Sequence, residues 1–337
     1  MPIKHAPHAP FYRHIVADAW RLSWEHKHLW IFGFFATFIG FGGVYEMLFK
    51  AYRDQADLVP ALALLASPLD LVPGFVTIKT IVRFSPYPIA STLLFTLLAG
   101  LFLALFAWMT VMSVGALIAS ARKISRGSHP DFAEGLKMGA EPFWRVLGIV
   151  ALAKGAALIA FILTGTNLFY LAADRDMWGA LLFVLSFIVM TAIAVVTSLL
   201  AVYASCFVVV KNAGLRASLV SAWDLLSTHW LVSLEMILVL MLLDLAVGLA
   251  AVLGLLVLSV PVVFLFMLGI AVKSRILVIG LMMLGGAAIM AVTVALGSFL
   301  TTVKISGWTL FWSEMVDGKP VAKVHRLTHW LKERFGR

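Results

Sequence analysis

Four charged residues interrupt otherwise apolar runs of this sequence, and they are its best candidates for chemistry. They are Lys154, Glu235, Asp244 and Lys304. A charged side chain inside a membrane helix costs roughly 2.5–3.5 kcal/mol on insertion scales, so it normally has a charged partner or faces water. The four residues therefore predict either ion pairs that hold helices together or a path for a substrate or an ion.

Two groups of histidines have spacings that suggest a metal site. His325 and His329 are four residues apart and would share one face of a helix, and Glu25–His28 reads EHKH. A zinc-protease helix needs a glutamate directly after the first histidine, but this position is Arg326, whose charge also disfavours a bound cation. We therefore predict no metal site and no cofactor.

Motifs of the common catalytic nucleophiles are missing from the sequence. It has no G-x-S-x-G, no phosphate-binding P-loop, no CxxC and no glycine-rich dinucleotide turn. The single cysteine, Cys206, lies in an apolar run, where a small buried residue is the ordinary role. We predict that the chain is not an enzyme and has no catalytic residue.

The composition indicates a membrane protein. Of the 337 residues, 62% are hydrophobic and only 13% are charged, and the mean hydropathy is +1.00. A soluble domain is about half apolar and a quarter charged, so this chain would lack a polar surface to present to water. The net charge of +9 fits basic cytoplasmic loops better than a nucleic-acid partner, and we predict no nucleic acid.

Polar residues gather in short blocks between apolar runs of roughly 20 residues or more, the length that a helix needs to cross the bilayer core. Backbone polar groups stay paired in lipid only within helices or closed barrels, so these runs predict an all-α, polytopic transmembrane bundle. The sequence predicts six spans as three helical hairpins: Leu29–Phe49, Ile89–Ser120, Trp144–Ala172, Trp178–Val210, Trp230–Leu258 and Ile276–Trp308.

These spans divide the chain into a cytoplasmic N-terminal segment, residues 1–28, a transmembrane domain, residues 29–312, and a basic tail, residues 313–337. Val260–Leu268 follows a span directly and contains a proline, so we predict a bent or re-entrant piece there. Ala61–Val82 is interrupted by two prolines, an aspartate and a lysine, and we expect short helices on the external face.

Lysine and arginine are distributed unevenly between the two sides of the six spans. Seventeen of the 26 lie on the side of both termini, and seven lie on the other side. Positive residues stay on the cytoplasmic side, so we predict both termini in the cytoplasm and the chain in the cytoplasmic (inner) membrane.

The depth of each charge in its span predicts its partner. At 1.5 Å per residue, Glu235 lies about 8 Å from the cytoplasmic end of its span and Lys304 about 6–12 Å. Lys154 and Asp244 lie about 15 and about 20 Å from theirs. These depths predict the pairs Lys154–Asp244 and Glu235–Lys304.

Segments outside the spans have one apolar face at helical spacing. They predict amphipathic helices that lie flat in the cytoplasmic headgroups, with the apolar face in the membrane, beside an aromatic belt of tryptophans. The apolar faces are Phe11, Ile15, Ala19 and Leu22; Phe132, Leu136, Ala140 and Phe143; Leu215, Leu219, Ala222 and Leu226; and Val321, Val324, Leu327, Leu331 and Phe335. The belt comprises Trp20, Trp24, Trp144, Trp223, Trp230, Trp308, Trp312 and Trp330.

The order of an amphipathic segment followed by two spans recurs in residues 11–120, 131–210 and 215–312. AWRLSWEH at Ala19–His26 matches AWDLLSTH at Ala222–His229 in its Ala, Trp, Leu and His. GLKMGAEPFW is a weaker third copy. The recurrence predicts that the chain arose by repetition of a hairpin unit.

Two stretches between predicted spans carry a family resemblance. They are GSHPDFAEGLKMGAEPFWRVLG at Gly127–Gly148 and VVVKNAGLRASLVSAWDLLSTHW at Val208–Trp230. Both resemble the cytoplasmic linkers of a broad group of uncharacterised prokaryotic six-span proteins, which includes the membrane domain attached to some glycerophosphodiester phosphodiesterases. The resemblance extends from Ala121 to Lys304 and implies a membrane bundle. In the fused members, the resemblance assigns catalysis to a separate soluble barrel domain. No part of this sequence matches such a barrel, so the resemblance implies no catalytic residue here.

The sequence favours a multi-pass scaffold or accessory protein at the cytoplasmic membrane face. Its expected partners are the lipid bilayer with its anionic headgroups, and a protein partner or a second copy of the chain. The alternative is a transporter or permease that uses the four intramembrane charges, since transport sites lie near the midplane at the interfaces of repeated hairpins. Charges that line a cavity open to one side would favour transport, and paired charges in a solid bundle would not.

Overall fold

The computed structural model of the protein describes residues 11–38, 89–174, 177–271 and 275–317. Within these ranges the chain is helical and contains no strand, so the predicted all-α class is confirmed. The helices are α1 Phe11–Glu25, α2 Leu29–Thr37, α3 Ile89–Ser125, α4 Phe132–Ala140, α5 Phe143–Asp174, α6 Met177–Lys211, α7 Leu215–Thr228, α8 Trp230–Ala271 and α9 Arg275–Asp317.

Five of the described helices are long and apolar enough to cross a membrane, as in a multi-pass membrane protein. Of the predicted first span, residues 29–38 are described, and α2 begins it. The rest of that span, the segment Ala61–Val82 and residues 318–337 of the tail lie outside the described residues. The five candidate spans are Leu93–Ser125, Phe143–Gly165, Met177–Lys211, Trp230–Met267 and Ile279–Asp317.

α8 differs from the sequence prediction at Pro261. A single helix of 42 residues runs from Trp230 to Ala271 with the proline inside it, so of the two forms predicted for Val260–Leu268, bent or re-entrant, the re-entrant one is wrong. Proline removes one backbone hydrogen bond. The flanking residues are apolar, and in lipid a helix pairs the rest of their backbone groups, so the helix continues through the proline.

The chain divides into two compact units. The first contains Met1–Ile39, Thr110–Val146 and Tyr203–Arg337, and the second contains Gly40–Met109 and Leu147–Val202. In the first unit, the second half of α9 is enclosed by the protein and packs against α1, α2 and α8. In the second unit most described apolar side chains are exposed, which is the environment of helices that meet lipid.

Small polar side chains allow α9 to lie inside the first unit. Ser298, Thr302, Thr309 and Ser313 each donate a hydrogen bond to the carbonyl oxygen four residues earlier, so their hydroxyls are paired although they are buried. α2 crosses α9 closely, because a Cβ atom on Gly33 would overlap the Ser298 carbonyl oxygen and the Thr302 hydroxyl. This crossing therefore requires glycine at position 33.

α4 packs on the protein through a glycine face that the sequence did not predict, while the predicted apolar face is left exposed or half-buried. Its buried residues are Gly135 and Gly139. A side chain on Gly139 would overlap the carbonyl oxygen of Met112 on α3. Close approach of two backbones therefore decides which face of α4 is buried, while the Phe132 ring stacks on Phe32 of α2 with a centroid distance of 4.8 Å. The residues of the predicted face are exposed or half-buried: Phe132, Leu136, Ala140 and Phe143.

α1 and α7 bury apolar side chains within the protein. Ile15, Ala19 and Leu22 of α1 are at most 5% exposed, and α1 lies along α9. Ala222 and Leu226 of α7 are buried as well. Because the protein covers these side chains, the prediction that they lie in the membrane is wrong.

Candidate functional site

Asp244 of α8 and Lys304 of α9 form an ion pair between the two helices of the last hairpin. Lys304 Nζ donates a hydrogen bond to Asp244 Oδ2 over 3.1 Å. The two side chains are 28% and 32% exposed. The other carboxylate oxygen, Asp244 Oδ1, is buried and has no hydrogen-bond partner in the described part of the chain. The pair is therefore neutral overall, with one acceptor atom unused.

The pairs predicted from the sequence, Lys154–Asp244 and Glu235–Lys304, are wrong, because Asp244 and Lys304 bind each other. The reason is that α9 continues nine residues past the predicted end of the last span. Lys304 is therefore 13 residues, about 20 Å, from the end of its helix. Asp244 is 14 residues, about 21 Å, from the start of α8, so the two side chains lie at the same depth.

Glu235 is bound by a residue that the sequence analysis missed. The hydroxyl of Tyr12 on α1 donates a hydrogen bond to Glu235 Oε2. Tyr12 is 2% exposed, and its ring centroid lies 6.4 Å from that of Phe311. The contact attaches α1 to α8 as well as to α9. Tyr12 lies three residues before Ile15 and so belongs to the same face, but Phe11 is the more hydrophobic residue at that end.

The four charged residues belong to two different units. Lys154 lies on α5 in the second unit, with an exposed side chain. Glu235, Asp244 and Lys304 lie in the first unit. Of the four, the structure brings Asp244 and Lys304 together and gives Glu235 a tyrosine as donor.

Three tryptophans surround the Phe299 ring of α9. The ring centroids of Trp20, Trp24 and Trp30 lie 4.7, 5.7 and 5.3 Å from the Phe299 centroid. Trp30 Nε1 donates a hydrogen bond to the backbone oxygen of Ser23. Phe299 is 4% exposed, whereas Trp20 and Trp24 are 38% and 55% exposed. Edge-on aromatic contacts stabilise such a cluster, and its exposed rings suit the interface between lipid and water.

The other tryptophans of the predicted belt differ in exposure. Trp312 departs from the prediction, because the protein encloses it and leaves 1% exposed. Trp308 is half-buried, and Trp330 lies outside the described residues. Both Trp308 and Trp312 belong to the part of α9 that packs inside the first unit, where a headgroup cannot reach a buried ring. Three others are more than half exposed: Trp144, Trp223 and Trp230.

Basic residues at helix ends of the first unit are part of its packing. Arg145 donates hydrogen bonds to the carbonyl oxygens of Asn212 and Ala213 and to Asn212 Oδ1, over 2.6–3.1 Å. Asn212 has a φ of 53°, a left-handed conformation typical of the residue that ends a helix. Arg145 thus covers carbonyl groups at the end of α6. Arg122 forms an ion pair with Asp317 at 2.9 Å.

Two histidines share a hydrogen bond where the α1–α2 corner meets the loop before α4. His26 Nε2 and His129 Nδ1 are 3.2 Å apart, and the ring centroids are 5.5 Å apart. With the nitrogens 3.2 Å apart, the centroids can be 5.5 Å apart only if each nitrogen points directly at the other ring. The two nitrogens therefore do not point toward a common ion. No group of three or more His, Cys, Asp or Glu side chains in the described ranges is arranged to hold a metal ion. His325 and His329 lie outside those ranges.

The pKa of His28, at the same corner, is lowered from its ordinary value. Partial burial disfavours the cation, and the charge of His26 acts in the same direction. Asp131 and the backbone oxygen of Pro130 oppose this effect. Since His28 Nε2 is buried without a hydrogen-bond partner, the corner favours the neutral form of this ring.

No family model, curated protein or solved structure matches this chain. The resemblance of Gly127–Gly148 and Val208–Trp230 to the linkers of the six-span group therefore stays a prediction. The geometry itself offers a neutral ion pair, a tyrosine-bound glutamate and an aromatic cluster with exposed tryptophans. None of these is an arrangement for bond-breaking chemistry, and each suits attachment of helices or contact with a membrane interface.

Proposed function

We propose that this protein is a non-enzymatic scaffold or accessory protein that acts at the cytoplasmic face of the inner membrane and engages anionic lipid headgroups there. One observation supports this above all, which is that α1 and α7 have two different faces. Each helix buries one face in the protein and turns the other, with tryptophan and arginine, outward. Indole rings favour the membrane interface, and a guanidinium group matches phosphate.

On α1 the outward face carries Trp20, Arg21, Trp24 and Glu25. Arg21 and Glu25 form an ion pair at 2.6 Å, with side chains 77% and 51% exposed. Their hydrogen bond raises the pKa of Arg21 and lowers the pKa of Glu25, so both are charged at neutral pH. An ion pair this exposed contributes little to stability, and its guanidinium remains accessible to a phosphate group.

α7 repeats the arrangement of α1 at the matched sequence positions. Ala19 and Ala222 correspond in the two copies of the motif, and both are 0% exposed. The tryptophans that follow them, Trp20 and Trp223, are 38% and 57% exposed. Arg216 on α7 is exposed as well. The position of Arg21 is taken by the exposed Asp224 on α7, so the repeat shares the buried alanine and the outward tryptophan, with Arg216 as the arginine of α7.

The orientation and the cell type belong to this proposal. The excess of lysine and arginine on the side of the termini supports a cytoplasmic location for both, and the linker resemblance supports a prokaryotic inner membrane. A protein partner or a second copy would approach from the same face. The proposed role uses no catalytic residue, no cofactor and no nucleic acid.

Lipid selectivity of the purified, reconstituted protein tests the proposal. Spin-labelled phosphatidylglycerol and phosphatidylcholine are compared in the motionally restricted lipid at the protein surface. Arg21→Gln is expected to lower the preference for phosphatidylglycerol, since it removes a cation at the interface. Glu25→Gln breaks the same ion pair and serves as the matched control, and it is expected to raise the preference. Equal selectivity of the unaltered protein for both lipids, or a shift of the same sign in both variants, would contradict the proposal.

Transport is the second candidate function, and the unused oxygen of Asp244 supports it. A carboxylate in a candidate span with a buried, unpartnered acceptor atom is a place where a proton or a cation can bind. Flux through proteoliposomes with Asp244→Asn tests this function. Loss of flux in a folded variant would support transport, whereas unchanged flux and unchanged stability would count against any role of the pair.

A further inference from the structure

We propose that the bilayer core encloses only the free half of the last hairpin, residues 249–271 and 276–298. The Asp244–Lys304 pair then lies outside the hydrocarbon, at the level of the headgroups. Both helices of the hairpin belong to the first unit. This placement does not depend on the proposed function.

α8 and α9 are too long for a single bilayer core. They contain 42 and 43 residues, which is about 63 and about 65 Å at 1.5 Å per residue. The hydrocarbon core is about 30 Å thick, and membrane helices tilt by up to about 40°. Helices of this length would need a tilt of about 60° to stay inside it, so a large part of each helix lies beyond the hydrocarbon.

Burial divides the hairpin into two halves. Among the residues whose burial the structure describes, none between 249 and 267 of α8 is buried. Between 279 and 297 of α9, Gly285 is the one buried residue. The buried residues of α8 lie in 232–240, residues 241–248 are exposed or half-buried, and most of the buried residues of α9 lie in 298–315. The exposed half of the hairpin is therefore the half that is built to contact lipid.

Charge divides the hairpin in the same way. Residues 249–271 and 276–298 contain no Asp, Glu, Lys or Arg. Lys273 and Arg275 lie between these two stretches in the sequence. These two charges mark one water boundary, and the second boundary lies where charged residues return on the other side of the apolar stretches.

The outer surface of α1 fixes the level of that second boundary. Trp20 and Trp24 contact Phe299 of α9, with centroid distances of 4.7 and 5.7 Å. Arg21 and Glu25, on the same helix, form an exposed ion pair. Two exposed charges are costly in hydrocarbon, whereas tryptophan is enriched at the interface. Phe299 therefore lies at the interface, and the rest of α9 beyond it lies on the water side.

The register of the hairpin transfers this level from α9 to α8. Lys304 pairs with Asp244. Gly285 lies 19 residues closer to the turn than Lys304 on α9, and Val262 lies 18 residues closer to the turn than Asp244 on α8. A Cβ atom on Gly285 would lie 2.6 Å from Val262 Cγ1. The two helices therefore stay in step along this whole distance.

Phe299 is five residues nearer to the turn than Lys304, so Leu249 is the residue of α8 at the same level. The two enclosed stretches, 249–271 and 276–298, then contain 23 residues each, or about 35 Å. This length crosses a core of about 30 Å at a tilt of about 30°, which is ordinary for a membrane helix.

The placement puts the charged residues of α8 and α9 in a polar environment and not in hydrocarbon. Glu235, Asp244 and Lys304 lie at or beyond the headgroups, where water and phosphate groups solvate them. The partial exposure of the Asp244–Lys304 pair then carries only a small cost. In this placement the hairpin has no charged residue at the midplane of the bilayer, where a transport site would lie.

Single-cysteine variants in a Cys206→Ala background test the placement in proteoliposomes. Leu242→Cys lies beside the ion pair, and Leu256→Cys and Met290→Cys lie in the free half. The original side chains are 53%, 59% and 68% exposed, so the changes leave the packing intact. Maleimide reacts with the thiolate, which does not form in hydrocarbon. We expect position 242 to react within about 10-fold of the control Arg126→Cys, in the exposed turn after α3, and the other two more than about 100-fold more slowly.

Reaction at position 242 as slow as at position 256 would overturn the placement, and so would fast reaction at all three positions. Complete labelling in detergent solution shows that each thiol is intact, and circular dichroism shows that each variant is folded. The exposed apolar side chains of α8 continue as far as Leu234, on the side of the ion pair that the placement puts in water. Leu238→Cys therefore tests the placement most strictly, because its surroundings are apolar but its predicted environment is aqueous. It is expected to react like position 242.

Discussion

Both halves of the α8–α9 hairpin fall within candidate membrane spans, but their surroundings differ. In the half that packs within the first unit, side chains are buried, serine and threonine recur along α9, and two carboxylates are bound by a lysine and a tyrosine. Between residues 249 and 267 and between 279 and 297 of the free half, Gly285 is the one buried residue among those whose burial the structure describes. Length and composition place both halves within candidate spans, and burial and charge indicate which half meets lipid.

Small residues explain why one half packs and the other does not. Gly33 and the hydroxyls of Ser298 and Thr302 let α2 approach the α9 backbone. In the free half, Gly286 has no atom within 4 Å of a Cβ position. A glycine thus serves packing only where another helix covers it.

Filling the α2–α9 crossing should have the largest effect. Gly33→Leu forces a side chain onto the Ser298 carbonyl and the Thr302 hydroxyl, and we expect a loss of about 3 kcal/mol in the free energy of unfolding. Gly286→Leu in the free half is the matched control and should change little. Thermal unfolding in detergent, followed by tryptophan fluorescence, measures both. Equal losses would contradict the difference between the two halves.

Removal of the Tyr12 hydroxyl should have the next largest effect. Tyr12→Phe takes a hydrogen bond from a part-buried carboxylate, and we expect a loss of about 1–2 kcal/mol. Glu235→Gln and the double variant complete a cycle that isolates the contact. Strictly additive losses would show that the two side chains are not coupled.

Separation of the Asp244–Lys304 pair should have a smaller effect. Asp244→Asn leaves Lys304 without its carboxylate, but the partly exposed ammonium can reach headgroups, so we expect a loss of about 1 kcal/mol. Addition of Lys304→Met should recover most of it. A loss of about 3–5 kcal/mol would indicate a fully desolvated pair and would contradict its position at the headgroup level.

Acidification should have the smallest effect, through His28. The pKa of His28 is lowered in the folded protein from an ordinary value of 6.5, so the unfolded chain binds more protons below that pH. The stability that neutral His28 provides is complete above pH 6.5 and is lost as the pH falls through the folded pKa. His28→Gln should flatten the stability profile between about pH 7 and about pH 5. An unaltered slope in this variant would contradict the assignment.

The sequence predicts where the helices begin, because prolines and charges precede them. The predicted spans at Ile89 and Trp230 begin at the same residues as α3 and α8. The ends are less accurate, since α9 continues to Asp317 within the protein, where apolar spacing no longer distinguishes lipid from a packed interior. That extension moved Lys304 to the depth of Asp244 and changed its partner.

The packed faces could not be predicted from hydrophobicity alone. α4 packs through Gly135 and Gly139 because two backbones approach closely there, and a hydrophobic face gives no sign of this. The apolar side chains of α1 were correctly placed on one face, but their covering is α9 and not lipid. A single sequence shows that a face must be covered, and it does not show what covers it.

A depth profile along α8 tests most directly whether the bilayer encloses only the free half of the hairpin. Spin labels are placed at the exposed positions between Leu234 and Met267, and their accessibility to oxygen is compared with that to a water-soluble nickel chelate. Enclosure of residues 249–271 predicts the greatest depth close to residue 260 and a headgroup environment at residue 242. A greatest depth close to residue 244 would place the ion pair at the midplane and would contradict it.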